Sequence, residues 1–163
     1  MIETLGVIGD NVDAQALIQD FLRVASLAGA HLAESEIEVE TLNAPHRPPS
    51  RLPAGKMAVY VFSYGDTVLK VGKAGPNSGA RYTSQHYNAA SAPSTLAASL
   101  LKGSEEIGVS GLTVESAGDW IKKNTHRTNF LMKTESGVPV LTLLEAFLQC
   151  KLKPRFEGFA SQR

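Results

Sequence analysis

A tyrosine, a lysine and a glycine that fall on one side of a short hairpin are the first residues in this chain whose types point to chemistry. The segment 57–72, MAVYVFSYGDTVLKVG, holds two β-branched and aromatic runs around Tyr64-Gly65-Asp66, which predicts two antiparallel strands. Facing residues in such a pair share a side. Burying Val59, Val61, Leu69 and Val71 together therefore requires paired positions to sum to an even number, as in 61 with 69. That means an odd loop of three or five residues, because a two-residue Gly65-Asp66 turn would put Lys70 in the core beside Val61. With the odd loop Tyr60 faces Lys70, and Tyr60, Phe62, Tyr64, Lys70 and Gly72 form the opposite surface. A phenol, an ammonium and a backbone position without a side chain then stand together, groups able to exchange a proton and hold an anion.

Other residues could join them. Glu145 interrupts the apolar run LTLLEAFLQC, where a carboxylate is either a flank residue reaching for solvent or has a specific partner. Lys73 follows the hairpin in KVGKAG, and Lys122, Lys123, His126 and Arg127 make a basic stretch that either contacts phosphate or is an ordinary solvated loop. Trp120 reads as a core anchor rather than a stacking platform. GKAGPNSG does not satisfy the GxxxxGK[ST] phosphate loop, which argues against triphosphate binding, and no His or Cys cluster has zinc spacing.

The elements that must position these groups follow from periodicity. Leu17, Phe21, Val24 and Ala28 predict an amphipathic helix over 12–32 with Asp10 or Asn11 as its cap, and Ile37, Val39 and Leu42 a short strand. Four prolines in 44–56 predict a stiff connector, hence a boundary between residues 1–50 and a domain of residues 51–163. A helix begins near Asn77 or Ser78 and runs through ARYTSQHYN. Further helices are expected over 94–103, over 116–124 and from Gly137 to about Cys150, the last with Val140, Leu143, Leu144 and Phe147 as its apolar face; FLMK, 130–133, reads as a strand.

The 163 residues are 43% hydrophobic and carry no net charge, which allows one domain with a real core and excludes disordered and membrane-spanning readings. The acidic N-terminus has no basic start to a secretory signal, and the single Cys150 cannot form an internal disulfide, so the chain reads as cytoplasmic. Charge is unevenly spread. Residues 1–50 hold eight acids against two bases, and residues 120–163 eight bases against three acids. The basic remainder suits a polyanion, and the acidic segment would mask it, pair with a partner or join a second copy; its removal should then strengthen nucleic-acid binding.

The order AVY (58–60), KVG (70–72), Arg81 and Glu145 resembles the GIY-YIG nuclease superfamily, over about residues 57–158. The resemblance implies an α/β (α+β) fold with a small central mixed or antiparallel sheet flanked by helices, here behind an N-terminal helical extension. It also implies Mg²⁺- or Mn²⁺-dependent endonuclease hydrolysis of DNA, with RNA as the other nucleic-acid target. Carried over by position, Tyr60 orients or deprotonates the attacking water, Arg81 clamps the scissile phosphate, Glu145 is the sole carboxylate ligand of the metal, and Gly72 permits close backbone approach. Tyr60, Lys70, Arg81 and Glu145 should converge on one cleft.

Two positions depart from the family. Lys70 stands where a tyrosine is usual and would bind phosphate or favour a phenolate at Tyr60; the asparagine expected a dozen residues after the glutamate is replaced by Glu157, Asn124 or Asn129. Histidine on the arginine-bearing helix assists some members one turn after the arginine. His86 lies five residues after Arg81, roughly 140° away on an ideal helix, and needs a distorted turn to take part. Lys73, Lys122, Lys123 and Arg127 are the expected DNA-backbone contacts. A module of the same fold that binds nucleic acid or protein without catalysis is the competing expectation.

Overall fold

Side-chain alternation along the central strand sets the architecture. Met57, Val59 and Val61 point to one face and Ala58, Tyr60 and Phe62 to the other, and all six are buried, so helices must cover both sides. The computed structural model describes residues 13–156. It is an α+β fold with one four-stranded antiparallel sheet in the order β1-β4-β2-β3, where β1 is Ile37–Leu42, β2 Lys56–Tyr64, β3 Thr67–Ala74 and β4 His126–Lys133. Helices α1 (Ala14–Leu27) and α5 (Val138–Leu152) pack on the Val59 face, and α2 (Gly79–Thr83), α3 (Leu96–Gly103) and α4 (Ala117–Asn124) on the Tyr60 face. No helix among the described residues is long and apolar enough to cross a membrane.

The expected boundary at residue 50 is corrected. Strand β1 pairs with β4 from Ile37 opposite Met132 to Leu42 opposite Arg127. Helix α1 buries Leu17, Ile18, Phe21 and Ala25 in the same core as Leu141, Leu144 and Leu148 of α5. Asp13 caps α1 by accepting from the Ala16 amide at 3.1 Å; the expected caps Asp10 and Asn11 lie outside the described residues, as does Glu157. The buried stripe of α5 is Leu141, Leu144, Leu148 and Leu152, while Val140, Leu143 and Phe147 pack at its margin. Phe147 meets the Phe21 ring at 5.7 Å, so α1 draws the apolar flank of α5 away from the sheet.

The hairpin satisfies the face requirement by another route. Gly65-Asp66 is a two-residue turn between Tyr64 and Thr67, with Gly65 at φ +54°, against the expected odd loop. A bulge follows: Phe62 pairs with Lys70 but Ser63 with Val68, which leaves Leu69 as the extra residue. Pairing sums are then even from Phe62 back to Ala58, Val61 faces Val71, and Tyr60 and Lys70 share a face. Tyr60 sits opposite Gly72 rather than Lys70, and Leu69 joins the Tyr60 core. That side of the hairpin is a covered layer, not an open surface.

Candidate active site

Gly72 allows Tyr60 to reach the edge of the sheet. The phenol lies across the neighbouring strand, and a Cβ at position 72 would stand 2.7 Å from its Oη and 2.8 Å from Cε2. On that side the helix carrying Arg81 is only five residues long. It ends at Thr83, and a separate 3-10 turn, Gln85–Tyr87, brings His86 round. This break supplies the distortion that the five-residue spacing demanded. His86 Nε2 lies 2.6 Å from Tyr60 Oη, with the ring centroids 4.8 Å apart.

The ring's other nitrogen settles its proton. His86 Nδ1 accepts the Leu96 amide N–H at 3.1 Å, the first amide of α3, so the neutral ring carries its proton on Nε2 and donates it to Tyr60. Burial, with Arg81, Lys70 and Arg127 nearby, pushes the His86 pKa down to about 2. With both nitrogens committed, His86 acts through Tyr60 as a positioning residue, and the assisting role expected of it is corrected to that. An unfolded histidine protonates near 6.5 while folded His86 stays neutral, so the unfolded state binds more protons below that pH and stability declines as pH falls. Urea unfolding should show a loss of about 2 kcal/mol from this group between pH 7 and pH 5, and His86→Gln should flatten that dependence. An equal slope in the variant contradicts the assignment.

Tyr60 is fully buried. Burial pushes its pKa up to about 12; the Arg81 charge and hydrogen bond and the Arg127 charge pull against this, and Glu145 adds to it. The expected phenolate is therefore corrected: desolvation outweighs the cations, and Lys70 faces Phe62 instead. Lys70 is 3% exposed and donates to Ser94 Oγ at 3.4 Å and the Phe156 carbonyl at 3.3 Å, so it ties down a loop instead of presenting a free ammonium to phosphate. Arg81, half-buried, donates to the carbonyls of Pro93 and Ser94, each at 3.3 Å. Ser94 has φ +60°, a conformation costly for a side chain with a Cβ, and it is held there from two sides.

Glu145 approaches from α5, which covers the opposite face from the helix of Arg81, so the single cleft expected to gather Arg81 and Glu145 is corrected. They are related around the outer edge of β3, and the Tyr60 hydroxyl feels both charges. The Glu145 carboxylate is ion-paired with Lys73, half-buried, which makes Lys73 a partner of the carboxylate before it is a backbone contact. Among the described residues no group of three or more His, Cys, Asp and Glu could hold a metal ion. A lone carboxylate does suit Mg²⁺, which keeps waters and binds substrate phosphate, provided that the ion shares or displaces the Lys73 ammonium.

Arg127 is the residue that the sequence placed worst. Expected on DNA, it is fully buried, on a strand that starts at His126 rather than Phe130. Its Nε donates to Asn129 Oδ1 at 2.7 Å, and its two terminal nitrogens to Tyr87 Oη at 3.1 Å and the Tyr82 carbonyl at 2.7 Å. The guanidinium lies 5.1 Å from the Tyr60 ring centroid. His46 was also missed. Its Nδ1–H donates to the Thr125 carbonyl at 2.8 Å, and its Nε2 accepts from Tyr87 at 2.9 Å. Asn129 donates to Glu40 at 3.0 Å and lies inside this network. Lys122 pairs with Asp119, Lys123 is exposed, and neither contacts Tyr60, Arg81 or His86 among the described residues. Trp120 packs on Tyr64 at 5.0 Å, the anchor role expected of it.

Compared with protein-family models, with curated proteins and with solved structures, the chain matches none.

Proposed function

We propose that this protein is a metal-dependent endonuclease that hydrolyses DNA phosphodiester bonds, with Tyr60, Arg81, His86 and Glu145 as its working groups. The observation that carries the reading is the Tyr60 hydroxyl, held by His86 and facing an arginine whose partners among the described residues are neutral oxygens. A guanidinium that holds two loop carbonyls at 3.3 Å each exchanges them readily for two phosphate oxygens. A cavity of 960 Å³ opens beside the same loop; its lining includes Ser94, Lys102, Arg155 and Phe156, which suits the chain flanking the scissile phosphate.

Tyr60 enters the reaction as a neutral phenol. Its oxygen accepts from His86, which aims its own O–H at the reaction centre to orient the attacking water; the proton that the water loses goes to solvent, and solvent protonates the leaving oxygen. Arg81 holds the phosphate and neutralises the charge that grows on it in the transition state. A divalent ion held by Glu145 would acidify the water and neutralise phosphate charge. His86 keeps Tyr60 aimed and takes no proton itself.

The Lys73–Glu145 ion pair favours a second reading, a nucleic-acid-binding module in which the carboxylate is occupied and no bond is cut. Incubation of supercoiled plasmid with the full chain and Mg²⁺ or Mn²⁺ separates the two. Nicking that disappears in Glu145→Ala supports the nuclease, whereas tight binding without nicking supports the module.

A further inference from the structure

The buried guanidinium touches each of the three elements that bear the Tyr60, Arg81 and His86 side chains. Its donor to the Tyr82 carbonyl holds α2 at the residue after Arg81, and its donor to Tyr87 holds the 3-10 turn at the residue after His86. The same group lies 5.1 Å from the Tyr60 ring centroid, with Phe62 at 5.1 Å and Tyr82 at 4.8 Å. Its Nε–H is anchored within β4 by Asn129. No carboxylate pairs with it among the described residues, so a cation has been placed in the core with only neutral oxygens and aromatic faces to hold it. Such an arrangement is costly for stability alone, since an apolar residue of the same volume would fill the space without desolvating a charge.

We infer that Arg127 is a positioning residue for the reaction, the tie that sets Tyr60, Arg81 and His86 in mutual register. The inference rests on the nuclease reading for what the register serves, but the register itself can be observed without it. A planar fork is required, because one group must point three ways in a plane while its face meets the rings. Lysine keeps the charge and loses the fork.

The test is Arg127→Lys, read in two ways. In ¹⁵N-histidine-labelled protein, the Nε2–H of His86, bonded to Tyr60 at 2.6 Å and shielded from water, should give a downfield, slowly exchanging proton signal that Tyr60→Phe displaces. Arg127→Lys should lose or shift that signal although the charge is kept. On DNA it should lower kcat at least about tenfold with KM changed less than about twofold, as misplacement of reacting groups does. Should the lysine variant not fold, Tyr87→Phe removes one of the tethers from a half-buried position and should shift the same signal more weakly. Loss of the signal in a protein that never cuts DNA leaves the positioning role standing and removes the nuclease reading. An unchanged signal in a folded Arg127→Lys or Tyr87→Phe protein, or a kcat equal to that of the native chain, overturns the inference.

Discussion

Arg81→Ala should slow phosphodiester hydrolysis by about 10²–10³-fold while the protein stays folded. Arg81 does more in the transition state than in the resting protein. In the absence of substrate the guanidinium makes two long hydrogen bonds to loop carbonyls, in a half-buried position, so its removal costs about 1 kcal/mol of stability. In the transition state the same group faces the negative charge that grows on the phosphate, where one well-placed donor contributes far more. Arg81→Lys should restore only part of the rate, because a single ammonium cannot bind two oxygens in a plane. Single-turnover cleavage at saturating protein, with urea unfolding beside it, separates chemistry from folding. A native rate in the alanine variant removes Arg81 from the site.

The fragment 51–163 should fail to fold. It lacks α1, whose Leu17, Ile18 and Phe21 are each buried against α5 and the sheet, a contribution of about 1.5–3 kcal/mol apiece. It also lacks β1 and exposes one edge of β4, the strand that holds Arg127 and Asn129. These losses approach the whole stability of an ordinary domain, about 5–15 kcal/mol. The expectation drawn from charge alone, that removal of an acidic mask leaves a tighter-binding basic domain, gives way to this packing. The acids of the segment are distributed through the fold: Asp20 pairs with Lys151 and Glu38 with Lys56, while Glu40 accepts from Asn129 and Tyr82. Circular dichroism and a proton NMR spectrum of the fragment decide the matter, and a cooperative melt with dispersed amide signals would contradict it.

What was legible in the residues divides along one line. Local pattern carried the hairpin, the face shared by Tyr60 and Lys70, and most of the helices, because side-chain alternation and helical spacing are properties of neighbouring residues; the α+β class came with the family resemblance. The long-range ties were not legible. Proline content marked 44–56 as a linker, yet His46 within it is held by Thr125 and Tyr87, and composition has no sign for such a contact. The bulge at Leu69 was hidden for a related reason: a two-residue turn plus one extra residue leaves the same face pattern as an odd loop. Arg127 carried a signal that was overlooked. Arg127, Asn129 and Leu131 alternate, which places all three on one face of a strand if that strand begins at His126 rather than Phe130. The charge of Arg127 argued for solvent, and the three neutral oxygens and three aromatic rings around it explain its burial.

The central claim is that the Tyr60 hydroxyl acts on the reacting water, and one atom tests it. Tyr60→Phe keeps the ring over Gly72 and the contact with Arg127, and removes only the oxygen that His86 holds and that feels the Arg81 charge. Single-turnover cleavage of a labelled duplex in Mg²⁺, with anisotropy to follow binding, should show a loss of about 10²-fold or more in rate with affinity little changed. Cleavage at the native rate by a folded Tyr60→Phe protein would contradict the account.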